Sequence, residues 1–357
     1  MRSQLRLLTS LVLLLLAVAC RPAYTNSGQE IKQDSANVSA PPHTNNIIDA
    51  AESVEELSNR LQQHLIKQDF AALEKIARQL RGTRARFPGG DWKLYRFYRA
   101  LALPEGGSAA PEQTWKQRME QLSKWIDMHP YSVTARTALG EALTGYAWKA
   151  RGDGYADTVT KEGWRLFKAR LIQAELVMYE AGKLAEKCPH SYCVRQDIAL
   201  GQGWELTRYE QLFEEATELE PSYIHFYSNK GRYLMPRWFG EEGDWERFAD
   251  ETASRFGGKE GSMLYSHIAW QISKNYRGAD FFNETKASWP RIRQGFIDRE
   301  ELYGASNRIL NAFCKLAGYA GDRILARSLF VRIGDNCDQE IWKEKKYFDG
   351  HKAWAFK

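Results

Sequence analysis

Apolar residues recur at spacings of three and four from about residue 54 to the C-terminus, and this periodicity confines the chain to a helical fold. Val54 to Lys67 places Leu57, Leu61, Leu65 and Ile66 on one stripe. After a break at Gln68-Asp69, Phe70, Leu73, Ile76, Ala77 and Leu80 form a second. The design returns in Glu120 to His129, which ends at Pro130, and in a helix through Ala135, Leu139, Ala142, Leu143 and Tyr146. The longest run, Trp164 to Lys187, carries Leu166, Phe167, Leu171, Ala174 and Val177 and stops before Pro189. Arg208 to Leu219 stops before Pro221, since proline cannot continue a helix that precedes it. With no convincing alternation of apolar and polar residues, the expected class is all-α.

The breaks carry a second period. Pro189 and Pro221 are 32 residues apart, and Gly257-Gly258 follows 36 residues later. These intervals bracket the tetratricopeptide unit of about 34 residues. Ala72 to Ile76 and Ala326 to Phe330 have the small-then-large spacing of its second helix, each after a short turn, Gln68-Asp69 or Gly321-Asp322. Phe213, Ala216 and Pro221 keep a similar spacing. The full signature is missing and the interval from Pro130 to Pro189 is longer. The expectation is a degenerate tetratricopeptide-like array of helical hairpins, an α-solenoid. Three segments sharpen it: Trp125 to Arg136, Tyr146 to Gly152 with Thr158 to Trp164, and Pro236 to Trp245. Together they resemble an uncharacterised bacterial family, a domain of unknown function with tetratricopeptide-like helices, over roughly residues 90 to 340. The resemblance implies fold and organism class and brings no catalytic residues.

The N-terminus gives an address. Arg2 and Arg6 precede an apolar run, Leu7 to Ala19, too short to cross a bilayer and suited to a secretory signal. Its end, Ala17-Val18-Ala19-Cys20, resembles the lipobox of bacterial lipoproteins, which implies cleavage before Cys20 and lipid attachment, palmitate included, at that residue. Several acyl chains anchor firmly where one does not. Arg21, rather than Asp, follows the cysteine, which by analogy with enteric bacteria points to the outer membrane, facing the periplasm. Arg21 to Ile47 is polar, contains Pro41-Pro42 and reads as a disordered tether reaching about 30 Å. The division is then signal peptide 1–19, lipidated cysteine and tether 20–48, N-terminal hairpins 49–105 and helical repeat domain 106–357. The triplets Asn37-Val38-Ser39 and Asn283-Glu284-Thr285 are chance glycosylation matches in this setting.

Charge and cysteine use exclude several classes. Fifty basic residues face 45 acidic ones, and loss of residues 1–19 removes Arg2 and Arg6 without an acid. So near a balance, with no long basic run, gives no basis for a nucleic-acid partner. Setting Cys20 aside, four cysteines in an oxidising compartment suggest two local bridges, Cys188–Cys193 and Cys314–Cys337. A metal or redox site from Cys188, His190 and Cys193 lacks a second ligand pair and any CxxC spacing, so no metal and no cofactor is expected.

Two segments are candidate sites. Arg151, Asp153, Tyr155, Asp157 and Lys161 punctuate a polar stretch between two strong helices, a candidate ligand loop packed by Trp148 and Trp164. It lacks the ligand order and central glycine of a calcium loop. Glu241, Glu242 and Asp244, flanked by Trp238, Phe239 and Trp245, could supply a glycosidase acid and base. Three acids before a helix equally suit a helix N-terminus. No GxSxG, SxxK, HExxH or P-loop pattern occurs, and no catalytic residue is assigned. The twelve Trp and seventeen Tyr mostly stand at core spacing. The functional expectation is a membrane-anchored, periplasm-facing scaffold whose concave surface binds an envelope protein or peptide. Its alternative is a cell-wall glycan binder or hydrolase using the acidic turn.

Overall fold

The structure, a computed structural model, describes residues 51–357 apart from Asp153. The signal peptide, Cys20 and the tether lie outside the described residues. The described residues belong to one compact unit and form seventeen α-helices with no strand among them. The first five are α1 Val54–Ile66, α2 Phe70–Thr83, α3 Lys93–Ala102, α4 Glu112–Met128 and α5 Val133–Arg151. The middle of the chain forms α6 Lys161–Lys183, α7 Pro189–Gln202, α8 Leu206–Leu219, α9 His225–Tyr233, α10 Asp244–Phe256 and α11 Gly258–Ser273. The rest are α12 Asp280–Asn283, α13 Trp289–Tyr303, α14 Asn307–Tyr319, α15 Arg323–Ile333, α16 Gln339–Trp342 and α17 Lys345–Phe356.

Local chemistry sets many of the boundaries. Ser53 and Glu56 form a capping box at α1, and the side chains of Asp69, Ser132, Thr160 and Asp322 each accept an amide N–H three residues ahead. Pro189 opens α7, where its missing N–H costs nothing, and Gly203 closes it in the left-handed region at φ 67°. The expected stripes of α1 and α2 are buried, with one exception: Ile66 is 59 % exposed. It lies one position past Leu65, about 100° around the helix, and so leaves the buried face. α6 ends at Lys183, short of the expected Lys187, and residues 184–188 lead irregularly into α7.

Helices α5, α7, α9 and α11 pack one against the next, and α6, α8 and α10 each lie against the two members of that series adjacent to them in sequence. α13 packs broadly on α11, and α14, α15 and α17 continue the body. Small residues permit the crossings: a Cβ on Gly295 in α13 would overlap the Ser262 carbonyl oxygen of α11. Among the tryptophans, Trp92, Trp115, Trp125, Trp245, Trp270 and Trp342 are buried and the other six are partly buried, so the aromatic content is chiefly core.

α3 was not singled out by periodicity, yet it packs on α1, α5 and α7 and buries Leu94, Phe97, Tyr98 and Leu101 completely. The segment before it, residues 84–92, folds back through one isolated bridge, Arg86 with Trp92. It crosses to the opposite end of the chain. Gly89 N–H donates to Tyr303 O at 3.1 Å, and Trp92 Nε1 and Arg86 both donate to Ser222 O. Gly89 and Gly90, both at φ 79°, make the approach possible, because a Cβ would meet Ile309 and Ser306 at the first and the Tyr303 ring at the second.

The expected bridges Cys188–Cys193 and Cys314–Cys337 are not formed; all four thiols are free. Cys188 caps α7 and Cys193 follows five residues on, about 140° around the axis, so the two side chains diverge. The Cys188 sulfur lies 3.2 Å from the Tyr98 hydroxyl instead. The Cys314 thiol donates to Ala326 O of α15 at 3.7 Å.

Candidate functional site

Beneath α3 runs a polar seam that no motif announced. α7, α9 and α11 contribute one buried histidine each, His190, His225 and His267. Tyr98 of α3 stacks on His190, with ring centroids 4.6 Å apart, and Tyr95 stacks on His225 at 3.6 Å. His190 Nδ1 lies 3.0 Å from the Tyr223 hydroxyl, while its Nε2 faces Glu141 at 3.4 Å; Arg99 donates to the same carboxylate at 2.9 Å. His225 Nε2 faces Asp91 at 3.6 Å, and Arg96 pairs with Asp91 at 2.6 Å. Arg299 reaches His267 Nδ1 at 3.4 Å and donates to the Gly89 carbonyl.

The charge states follow from these partners. Burial opposes the Glu141 carboxylate, but His190 and Arg99 together outweigh it and hold its pKa down at about 2. Asp91 is held well below the carboxylate range by Arg96 and His225 despite its own burial. Burial pushes His225 down to about 4 against the pull of Asp91, and burial with the Arg299 charge pushes His267 well below the ordinary imidazole range. The result is an ionised Asp91 and Glu141, with His225 and His267 held neutral, around an arginine-tied α3. No set of three or more His, Cys, Asp or Glu among the described residues could hold a metal ion. The three imidazoles are buried while Asp91, Tyr95, Arg96 and Arg99 remain partly exposed, and together they fix α3 against α7 and α9.

The sequence-derived sites fall elsewhere. Arg151 ends α5 and lies over the rings of Trp148, Trp164 and Trp238, at 5.6, 5.7 and 5.5 Å, while donating to the carbonyls of Gly152 and Gly154. Trp148 and Trp164 pack the loop as expected, with Trp238 of the α9–α10 connection added. Tyr155 is 72 % exposed under the Arg237 guanidinium, Asp157 and Lys161 are exposed, and Asp153 lies outside the described residues. The five residues therefore divide between an anchored arginine and an outward rim. In the acidic turn, Glu241 and Glu242 are exposed. Asp244 is the first residue of α10, accepts the Glu241 N–H at 2.8 Å and pairs with Arg247. Its carboxylate closes the turn.

One cleft is lined by aromatic rings and cations. α6 and α8 both lean on α7 and leave a space of about 380 Å³, small for a ligand pocket but adequate for a few side chains. Its floor includes Ser191 and Ile198 of α7. Its walls are aromatic rings capped by cations: Arg208 over Trp204 at 3.2 Å, Arg195 over Tyr192 at 5.2 Å and Lys183 over Tyr179 at 4.2 Å. Glu175 orients Arg208 at 3.2 Å and accepts from Gln202 at 2.9 Å. The chain matches no family model, no curated protein and no solved structure. Within α6 and α7 the cleft residues keep spacings of three and four, at Glu175, Met178 and Gly182 and at Ser191, Arg195 and Ile198, but periodicity does not show which helix faces meet. A trace of the seam was available, because Glu141 is the one acid in the run from Val133 to Ala147, which is mostly Ala, Thr, Gly and Leu.

Proposed function

We propose that the chain is a lipoprotein, acylated at Cys20 and facing the periplasm, that serves as a protein- or peptide-binding scaffold built on a degenerate tetratricopeptide-like hairpin array. The order of helix neighbours from α5 to α11, each helix lying against those adjacent in sequence, supports the array. The cleft between α6, α7 and α8 carries the binding reading. Its location departs from the expectation in one respect: the side of α5 and α7 turned toward α3 is covered by the chain's own α3. Four cations, Lys183, Lys187, Arg195 and Arg208, line the cleft against two acids, Glu175 and Glu215, so the segment it takes is one carrying carboxylates beside an apolar anchor.

Affinity capture with the full chain from solubilised envelope, read by quantitative mass spectrometry, tests this. A small set of proteins should be enriched, and Arg208→Glu should lower that enrichment about tenfold, the effect of about 1.4 kcal/mol. Equal capture by the variant would remove the cleft as the site. Retention on purified peptidoglycan with no selective protein would replace the scaffold with a glycan binder.

A further inference from the structure

The outward crest of α6 has an order that the core does not explain and that the cleft touches only at one end, through Tyr179 and Lys183. One residue per turn, it reads Lys161, Arg165, Lys168, Ile172, Leu176, Tyr179, Lys183, a row about 33 Å long at 1.5 Å per residue. Ile172, Leu176 and Tyr179 are 54 %, 61 % and 63 % exposed, and the four basic residues are exposed as well. Single exposed apolar side chains are ordinary, but three on consecutive turns of one helix are an unpartnered face. Helix stability does not account for the cations before them, since Lys161 sits in the first turn, where the helix dipole disfavours positive charge. Arg165 is paired with Glu162 and Lys183 with Glu180, yet no acid interrupts the row itself.

We propose that this crest lies on an anionic lipid surface, with Ile172, Leu176 and Tyr179 entering the headgroup boundary and the cations at both ends meeting lipid phosphates. A single-file row flanked by long basic side chains can touch a flat anionic sheet along its whole length. A protein partner would need a matching groove, and the recess on this side of the molecule, between α6 and α8, shares only Tyr179 and Lys183 with the crest. The contact does not depend on acylation of Cys20, and it would lay the body on the bilayer instead of leaving it at the end of its tether.

The test places a solvatochromic amino acid in the full chain at Ile172 and, as a control, at Ile324 of α15, which is 88 % exposed. With vesicles of phosphatidylglycerol and phosphatidylethanolamine, emission from position 172 should shift to the blue and that from 324 should not. Vesicles of phosphatidylcholine alone should leave both in water. Lys161→Glu combined with Lys168→Glu should weaken the response about tenfold, as loss of surface cations does. An anchor alone would carry the chain to either vesicle while leaving position 172 in water, and that pattern overturns the crest contact without touching the anchor. A shift seen only on adding envelope proteins would make the crest a protein face, and one that follows protein concentration without lipid would make it a self-association face; either result overturns the proposal.

Discussion

His225 is neutral at pH 7 because burial between Tyr95 and the α9–α11 packing outweighs the attraction of Asp91. Its unfolded form gains a proton near 6.5 and its folded form only near 4, so the penalty is absent above about 6.5 and grows as pH falls toward 4. Asp197 acts oppositely: burial raises it to about 6, so its penalty is present above that value and is relieved on acidification. The wild-type pH profile sums these with the other shifted groups, and a variant isolates one. His225→Gln should flatten the loss of stability between pH 6.5 and 4 by up to about 3 kcal/mol, read as urea midpoints at several pH values. An unchanged slope would mean that the imidazole is already charged in the fold. Gly295 belongs to the same scale. Gly295→Ala drives a Cβ into the Ser262 carbonyl, which is backbone and cannot swing away, so a cost of about 1–3 kcal/mol is expected from thermal unfolding.

At the scale of single helices, the sequence was most legible where caps and periodicity agreed. α2 begins after Asp69 and buries each of Phe70, Leu73, Ile76, Ala77 and Leu80. α15 begins after Asp322, whose carboxylate accepts the Leu325 N–H at 3.1 Å and the Trp289 indole N–H at 3.2 Å. Asp322→Ala should cost about 1–2 kcal/mol, with hydrogen exchange rising first in α15. Rapid exchange confined to α13 would assign the loss to the Trp289 bond instead. α3 keeps the helical spacing at Leu94, Phe97, Tyr98 and Leu101, but the sequence does not show that Lys93, Arg96 and Arg99 between them have partners. Lys93 is 1 % exposed with its ammonium over the Phe87 ring at 4.9 Å, and Arg96 and Arg99 meet Asp91 and Glu141. Those partners neutralise charges that read as a solvated face in the linear chain.

Across the whole molecule, residues 84–92 tie the first helices to α9, α13 and α14. Trp92 holds the centre of that tie, fully buried, with its ring edge-on to Tyr223 at 4.8 Å and the Arg86 guanidinium 4.5 Å from its centroid. Trp92→Ala should cost about 3–5 kcal/mol, and proteolysis should then cut first within 84–92. Cleavage first at the α5–α6 loop, with 84–92 still protected, would show that the tie does not limit opening.

Sequence by itself determined the all-α class, the starts of α1 and α2 and the end of α8, and the core stripes of α1 and α2, because periodicity and capping act over a few residues and are written within them. The tertiary structure decided which face stayed open, that Cys188 would meet Tyr98 instead of Cys193, that Asp244 would close a turn, and that His190 and His225, tens of residues apart, would both stack on α3. Those outcomes depend on side chains brought together across the fold, where burial sets protonation and a neighbouring helix fixes whether a polar row faces water or another part of the chain.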